Sequence, residues 1–162
     1  MDLNILSHFD VRILRDGKLR YETSFHNGIT VEGKNTILDT IFNAEGQLSW
    51  YCGLIDTITI MSEDDTMASH AGWTEFTNVD EAARQIWNPD AAASKSLENP
   101  STAFVTYTID DATSPTLDGI FVTSGSALSG VAGLLWCSGA FPTAPTVADG
   151  EVVEIQYTVT IE

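Results

Sequence analysis

One short segment brings together the side chains with the most obvious chemical potential, Asp64, Asp65, Ser69 and His70. A serine, a histidine and an aspartate can support nucleophilic hydrolysis when the histidine removes the hydroxyl proton. Such triads are made by spatial geometry rather than by closeness in sequence, and the sequence has no Gly-x-Ser-x-Gly elbow. We therefore expect the Asp and Ser side chains to cap short turns and His70 to bond to loop backbone. A small glycan hydrolase using Asp64 or Asp65 with His70 is the remote alternative.

Metal binding by histidine and cysteine is not favoured by the spacing of these residues. His8, His26 and His70 show no metal-ligand spacing, and Cys52 and Cys137 form no Cys-x-x-Cys motif. Both cysteines lie in apolar, strand-like runs, which is typical of buried free thiols rather than of a disulfide. The sequence therefore predicts no zinc site.

Adjacent carboxylates occur at Asp64-Asp65 and Asp110-Asp111, but their spacing does not match a calcium-binding EF-hand loop. Neighbouring residues on a strand point to opposite faces, so solvated carboxylates are the favoured interpretation. Nothing selects two of the 23 acidic residues as a glycosidase pair. Phosphate-binding and dinucleotide-binding glycine loops are also absent from the sequence, so we expect no catalytic residue and no cofactor.

The elements that must position any site are predicted to be mostly strands. Residues 8–26 alternate apolar and polar side chains around Asp16-Gly17, a strong signal for a two-residue hairpin. Residues 49–61 form an apolar, β-branched and aromatic run that indicates a buried central strand. Further strands are predicted at 104–109, 116–123, 131–141 and 151–161. The spacing indicates an antiparallel β-sandwich or jelly-roll-like domain.

One short helix and one long ordered loop complete the predicted domain. Residues 32–43 carry a stripe at helical spacing, formed by Ile37, Leu38, Ile41 and Phe42, although Gly33 weakens a helix. Residues 62–93 show neither strand nor helix periodicity, and long loops in compact domains are often functional. Whether this loop packs on its own body or on a neighbour stays open.

Charge divides the chain unevenly. The 162 residues include 7 Lys and Arg against 23 Asp and Glu, for a net charge of −16. Residues 1–34 sum to zero, so the negative charge lies beyond them. Such a chain should repel nucleic acid and anionic membranes, and no apolar run is long enough to span a bilayer. Without a signal-peptide pattern at its start, we expect synthesis in a reducing cytoplasm.

Aromatic and glycine motifs distinguish the middle of the sequence. They are Trp50-Tyr51-Cys52-Gly53-Leu54-Ile55, Asp65-Thr66-Met67-Ala68-Ser69-His70-Ala71-Gly72-Trp73-Thr74-Glu75, Arg84-Gln85-Ile86-Trp87, Gly119-Ile120-Phe121-Val122-Thr123 and Gly133-Leu134-Leu135-Trp136. This combination resembles a group of small virion proteins of tailed bacteriophages, over most of residues 27–161. The resemblance implies a capsid decoration (cement) protein or a head fibre. The matching residues are aromatic, glycine and turn positions, so the resemblance implies no catalytic residue.

The resemblance makes a protein-binding role the leading prediction. We expect a decoration protein that binds and stabilises the shell of major capsid protein, at the capsid surface of the virion after assembly in the host cytoplasm. Copies of the chain are expected to associate at lattice axes, with a trimer favoured over a dimer. A tail or head-fibre domain that binds a receptor or glycan is the alternative. No nucleic acid and no membrane is expected as a partner.

Two regions supply the candidate partner-binding residues. Residues 1–26 lie outside the resembling region and are charge-neutral, so this hairpin is predicted to be an attachment element whose removal leaves 27–162 folded as a single β-sandwich domain. Two tryptophans lie in the irregular segment, where they either pin the loop to the body or anchor a partner, for example by stacking on a sugar ring. The candidates are Phe9, Arg12, Arg15, Lys18, Arg20, Trp73 and Trp87.

Overall fold

The computed structural model, which describes residues 4–43 and 46–162, contains two antiparallel sheets and one helix. This confirms the predicted mostly-β sandwich with one short helix. The strands are β1 (Ile5–Arg15), β2 (Lys18–His26), β3 (Gly28–Ile29), β4 (Trp50–Ile58), β5 (Trp73–Phe76), β6 (Gln85–Trp87), β7 (Ser96–Glu98), β8 (Val105–Thr108), β9 (Gly119–Thr123), β10 (Leu135–Ala140) and β11 (Val152–Ile161), and the helix α1 is Val31–Phe42.

Each sheet is built around strands that are distant in sequence. The first sheet has the order β2-β1-β11-β7, and β8 also pairs with β11. The second sheet has the order β3-β10-β9-β4-β5, and β6 also pairs with β4. The predicted central strand is confirmed, because β4 lies inside the second sheet between β9 and β5. No helix in residues 4–43 or 46–162 is long and apolar enough to cross a bilayer.

The N-terminal hairpin forms as predicted but is not an appendage. Asp16 and Gly17 both have positive φ, 51° and 72°, as a two-residue hairpin turn requires. However, β1 lies between β2 and β11 and pairs with β11 from Ile5 opposite Ile161 to Leu14 opposite Val152. The hairpin is thus an integral part of the first sheet, and folding of residues 27–162 without it, which would leave this edge of β11 unpaired, stays a prediction.

The main core fills the space between the two sheets. Strand alternation places Val153, Ile155 and Tyr157 of β11 fully inside, as the sequence pattern predicts. Asn99, which is also fully buried, accepts bonds from Trp87 Nε1 and the Tyr157 backbone amide. Its side-chain amide donates to two backbone carbonyl oxygens, so all of its hydrogen-bonding capacity is used.

A second apolar cluster covers the outer face of the second sheet. The long segment predicted as loop 62–93 contains β5 and β6, and it packs on its own body rather than extending freely. Close packing here requires Gly53, since a Cβ at this position would lie 2.3 Å from the Phe121 ring. The buried members of this cluster are Ile55, Met67, Trp73, Phe121 and Leu135.

A buried ion pair holds the outer layer together. Arg84 donates to both carboxylate oxygens of Glu75, at 2.7 and 2.8 Å, and to the carbonyl oxygens of Gly125 and Gly130. Its guanidinium also lies 5.1 Å from the centroid of the Phe121 ring. Glu75 lies on β5, Arg84 directly precedes β6, and Gly125 and Gly130 lie in the loop between β9 and β10. These hydrogen bonds therefore join three segments of the outer layer.

Removal of Arg84 should therefore be costly. In Arg84→Ala the buried Glu75 carboxylate loses its counter-charge, and we expect the free energy of unfolding to fall by about 3–5 kcal/mol. The matched control is Lys34→Ala, which breaks the exposed pair with Glu63 and should cost about 0–1 kcal/mol. Urea unfolding followed by tryptophan fluorescence measures both; equal losses for the two variants would contradict the structural role of the Arg84–Glu75 pair.

The two cysteines are buried free thiols, as the sequence predicts, and both lie opposite Val122 of β9. Burial raises the pKa of the Cys137 thiol to about 12, although hydrogen bonds involving Tyr157 and the Val122 backbone act in the opposite direction. Burial, with a smaller effect of Cys137, also raises the pKa of Cys52. Neither thiol is therefore expected to be reactive in the folded state.

The burial of the two thiols predicts slow chemical labelling and a stability that depends on pH. At pH 8, Ellman's reagent should react with the native thiols more slowly than with the urea-unfolded chain, by on the order of a thousandfold or more. Because the pKa of Cys137 rises on folding from 9.0 to about 12, the unfolded thiol ionises first, and stability should fall as the pH increases between these values. Rapid labelling of the native protein would contradict the buried placement.

Candidate functional site

Two of the predicted partner-binding arginines contact their own chain at the end of the hairpin. Arg20 forms a two-point pair with the carboxylate of Glu151, and Arg15 lies 3.1 Å from the same carboxylate. Glu151 is fully buried and also accepts a bond from the Ala148 backbone amide, while Arg20 donates to the Thr146 carbonyl oxygen. These arginines therefore fix the hairpin to the turn that precedes β11.

The other hairpin candidates differ in their contacts and exposure. Arg12 pairs with Glu154 at 3.3 Å, and its guanidinium lies 5.1 Å from the centre of the Phe104 ring. Phe9 is fully buried and stacks on Tyr157, so it belongs to the core and presents no surface to a partner. Lys18 is exposed at the hairpin turn and, among the described residues, forms no ion pair.

The two candidate tryptophans pin the long segment to the body. Trp73 is buried in the outer cluster and donates its indole N–H to Asp65. Trp87 is buried in the main core and donates to Asn99 and to the Tyr157 carbonyl oxygen. Trp73 is 3% and Trp87 is 7% exposed, so the pinning role is observed for both, and a role of either in partner binding stays a prediction.

The possible hydrolytic group forms turns instead of a triad. His70 stacks on Trp73 at a centroid distance of 3.9 Å, and its Nδ1 lies 3.1 Å from the Trp73 carbonyl oxygen. The Asp65 carboxylate accepts a bond from the Ser62 backbone amide, as a turn-capping residue does. Across the described part of the chain, no hydrogen bond joins Ser69 to His70, and no three His, Cys, Asp or Glu side chains are grouped to hold a metal.

A different surface, centred on α1, carries the features expected of a binding site. The helix begins at Val31, one residue before the predicted start, because the Thr30 hydroxyl accepts a bond from the Gly33 amide and donates to the Leu135 carbonyl oxygen. The Glu32 carboxylate accepts a bond from the Leu135 amide at 2.7 Å. Gly33, which weakens the helix in isolation, is required here, since a Cβ would lie 2.5 Å from the Trp136 carbonyl oxygen. The first turn of α1 is thus fixed to β10.

Beyond this first turn, the apolar side of α1 remains largely uncovered. Leu38 is 55% exposed, Ile41 is 65% exposed and Phe42 is 78% exposed, so the predicted apolar stripe does not pack into the core. Val31, Leu38 and Phe42 have i, i+7, i+11 spacing, which places them along one outward side of the helix. We call these three residues the α1 ridge.

Beneath α1, the two sheets separate at one end of the sandwich and leave an apolar cleft of about 290 Å³, which we call the α1 cleft. Trp50, Trp87 and Trp136 of the second sheet line one side, and Leu97 and Val159 of the first sheet line the other. The helix contributes the apolar side chains of Ile37 and Ile41 together with Thr36 and Thr40, and Gln47 also lines the cleft. Among the residues that the structure describes, no charged side chain lines this cleft.

Acidic side chains flank α1 on the side away from the cleft. Glu32, Asp39 and Asp64 line a second groove there, next to Val31 of the ridge. On α1 the one basic side chain is Lys34, which pairs with Glu63 at 3.1 Å. The ridge is therefore an apolar strip bordered by negative charge.

The sequence signals this surface only in part. The apolar stripe of α1 and the strand positions of Trp50 and Trp136 are visible in the sequence, but each pattern is equally typical of a core element. Comparison with known proteins adds no further assignment: no protein-family model, no curated protein and no solved structure matches the chain. The resemblance to phage virion proteins therefore stays a prediction.

Proposed function

We propose that this chain is a structural virion protein of a tailed bacteriophage, a capsid decoration protein that binds the major capsid protein through the α1 ridge. The observation that carries this proposal is that Leu38 and Phe42 are exposed on α1. The opposite side of the same helix faces the two sheets, so these apolar residues occupy the outward side although an inward side exists. Contiguous apolar residues rimmed by polar groups are typical of protein-binding surfaces. An apolar helix face that docks into a groove on its partner is a common mode of recognition.

The charge distribution indicates what the partner surface must offer. Glu32 and Asp39 lie beside the ridge, and the chain as a whole carries −16. A complementary site would combine an apolar groove with basic side chains at its rim. The remaining acidic surface would limit aggregation of decorated particles.

A shell also explains why one small ridge is sufficient. Burial of two or three apolar side chains gives modest affinity for a single site, since each contributes about 1.5–3 kcal/mol. Copies that contact one another around a lattice axis, as a trimer or a dimer, would gain avidity without additional contacts per copy. The proposed location is accordingly the outer capsid surface.

Replacement of the ridge tests this function. The double variant Leu38→Ser/Phe42→Ser should fold normally, because both side chains are already exposed, but should bind shells at least about tenfold more weakly. Binding is measured by co-sedimentation with shells that are assembled from the major capsid protein of the same virus and that lack this chain.

The matched control is Ile60→Ser/Val131→Ser, which removes two side chains of similar exposure, 68% and 63%, from loops outside α1. This control should bind shells like the unmodified protein. Equal occupancy by the ridge variant and the control would remove the ridge from the binding surface, and absence of binding by the unmodified chain would overturn the proposed function.

A further inference from the structure

We propose that the α1 cleft is a binding site for a small, uncharged, apolar molecule and that α1 is its lid. This inference goes beyond the proposed function, because it concerns the inner side of α1 rather than the ridge. Its volume of about 290 Å³ lies near the lower end of the range of about 300–1,000 Å³ typical of ligand pockets. A water molecule occupies about 30 Å³ in the liquid, so the space greatly exceeds one ordered water.

The walls of the cleft give water few hydrogen-bonding partners. Trp87 Nε1 already donates to Asn99, and Trp136 Nε1 donates to the Tyr157 hydroxyl at 2.6 Å. These two indoles therefore offer the cleft their apolar ring surface and no free N–H. Apolar cavities of this kind hold water poorly and bind small hydrocarbons readily.

The lining also selects against charged ligands. Because no charged side chain in residues 4–43 or 46–162 faces the cleft, a carboxylate or an ammonium group would lose its hydration without gaining a counter-ion from them. An anionic ligand is further disfavoured by the net charge of −16. Thr36 and Thr40 of α1 and the nearby Gln47 also line the cleft, where they could bond to a single hydroxyl or carbonyl group. The ligand class is thus a neutral aliphatic or aromatic molecule with at most one polar end.

Uneven attachment of α1 allows this molecule to enter. The first turn is fixed to β10 through Thr30, Glu32 and Gly33. Within the described residues, the hydrogen bonds of residues 35–43 stay inside the helix, as from Thr36 to the Glu32 carbonyl oxygen and from Asn43 to Asp39. The second half of α1 can therefore move outward without breaking a hydrogen bond to either sheet.

The first measurement uses three probes of equal chain length on the unmodified protein: 1-hexanol, hexanoate and hexylammonium. Methyl NMR of Ile37, Val122 and Val159, which line the cleft, reports binding. We expect saturable shifts with 1-hexanol and at least tenfold weaker binding of both charged probes at matched ionic strength. Shifts that do not saturate with 1-hexanol, or equal binding of either charged probe, would overturn the proposal.

Filling the cleft provides the second measurement. Val159→Phe and Leu97→Phe place a ring in the cleft from two neighbouring strands of the first sheet, so at least one is expected to fold with the space occupied. A folded filling variant should lose 1-hexanol binding at least tenfold, and unchanged binding in the folded variants would place the site elsewhere. The control Leu38→Ser/Phe42→Ser should bind 1-hexanol normally, so failure of the ligand site is distinguished from failure of shell binding.

Discussion

The pairing of β1 with β11 is the constraint on which the rest of this structure depends. It joins the two ends of the described chain along the full length of both strands, from Ile5 opposite Ile161 to Leu14 opposite Val152. Because β11 also pairs with β7 and β8, every strand of the first sheet is held directly or through β1 to the last strand of the chain. The core between the sheets is complete only when β11 is in place, so contacts of long sequence separation dominate the fold.

Around this framework, most of the few basic side chains form ion pairs with acidic residues of the same chain. Arg12, Arg15 and Arg20 fix the hairpin to acidic residues near or on β11, and Arg84 neutralises Glu75 beneath the outer layer. The remaining acidic side chains therefore define the outer surface. The outer face of the second sheet is covered by the protein's own loops, whereas α1 exposes an apolar ridge above an incompletely filled cleft. The proposed binding surface thus combines exposed apolar side chains on one helix with an apolar cleft beside it.

The sequence predicts features that depend on local chemistry. It does not predict features that depend on packing between residues distant in sequence. Asp16-Gly17 specifies its turn through positive φ, and the alternation in β11 is long enough to reveal its inner face. Strands β3, β5, β6 and β7 have only two to four residues, too few for a detectable period. The neutral charge sum of residues 1–34 hides ion pairs to positions more than a hundred residues away, such as Arg20 with Glu151. The apolar stripe likewise shows that α1 has an apolar side, but it does not show whether that side packs into the core or remains exposed.

If this protein decorates a capsid lattice, as we propose, its copy number in purified virions should match the number of lattice positions. Quantitative mass spectrometry against the major capsid protein gives the ratio without assuming a binding site. A decoration protein should be present at a ratio near one copy per shell subunit or at a simple fraction of it, such as about one third. A handful of copies per particle, or none, would contradict a lattice role and with it the assignment of the α1 ridge as a shell-binding surface.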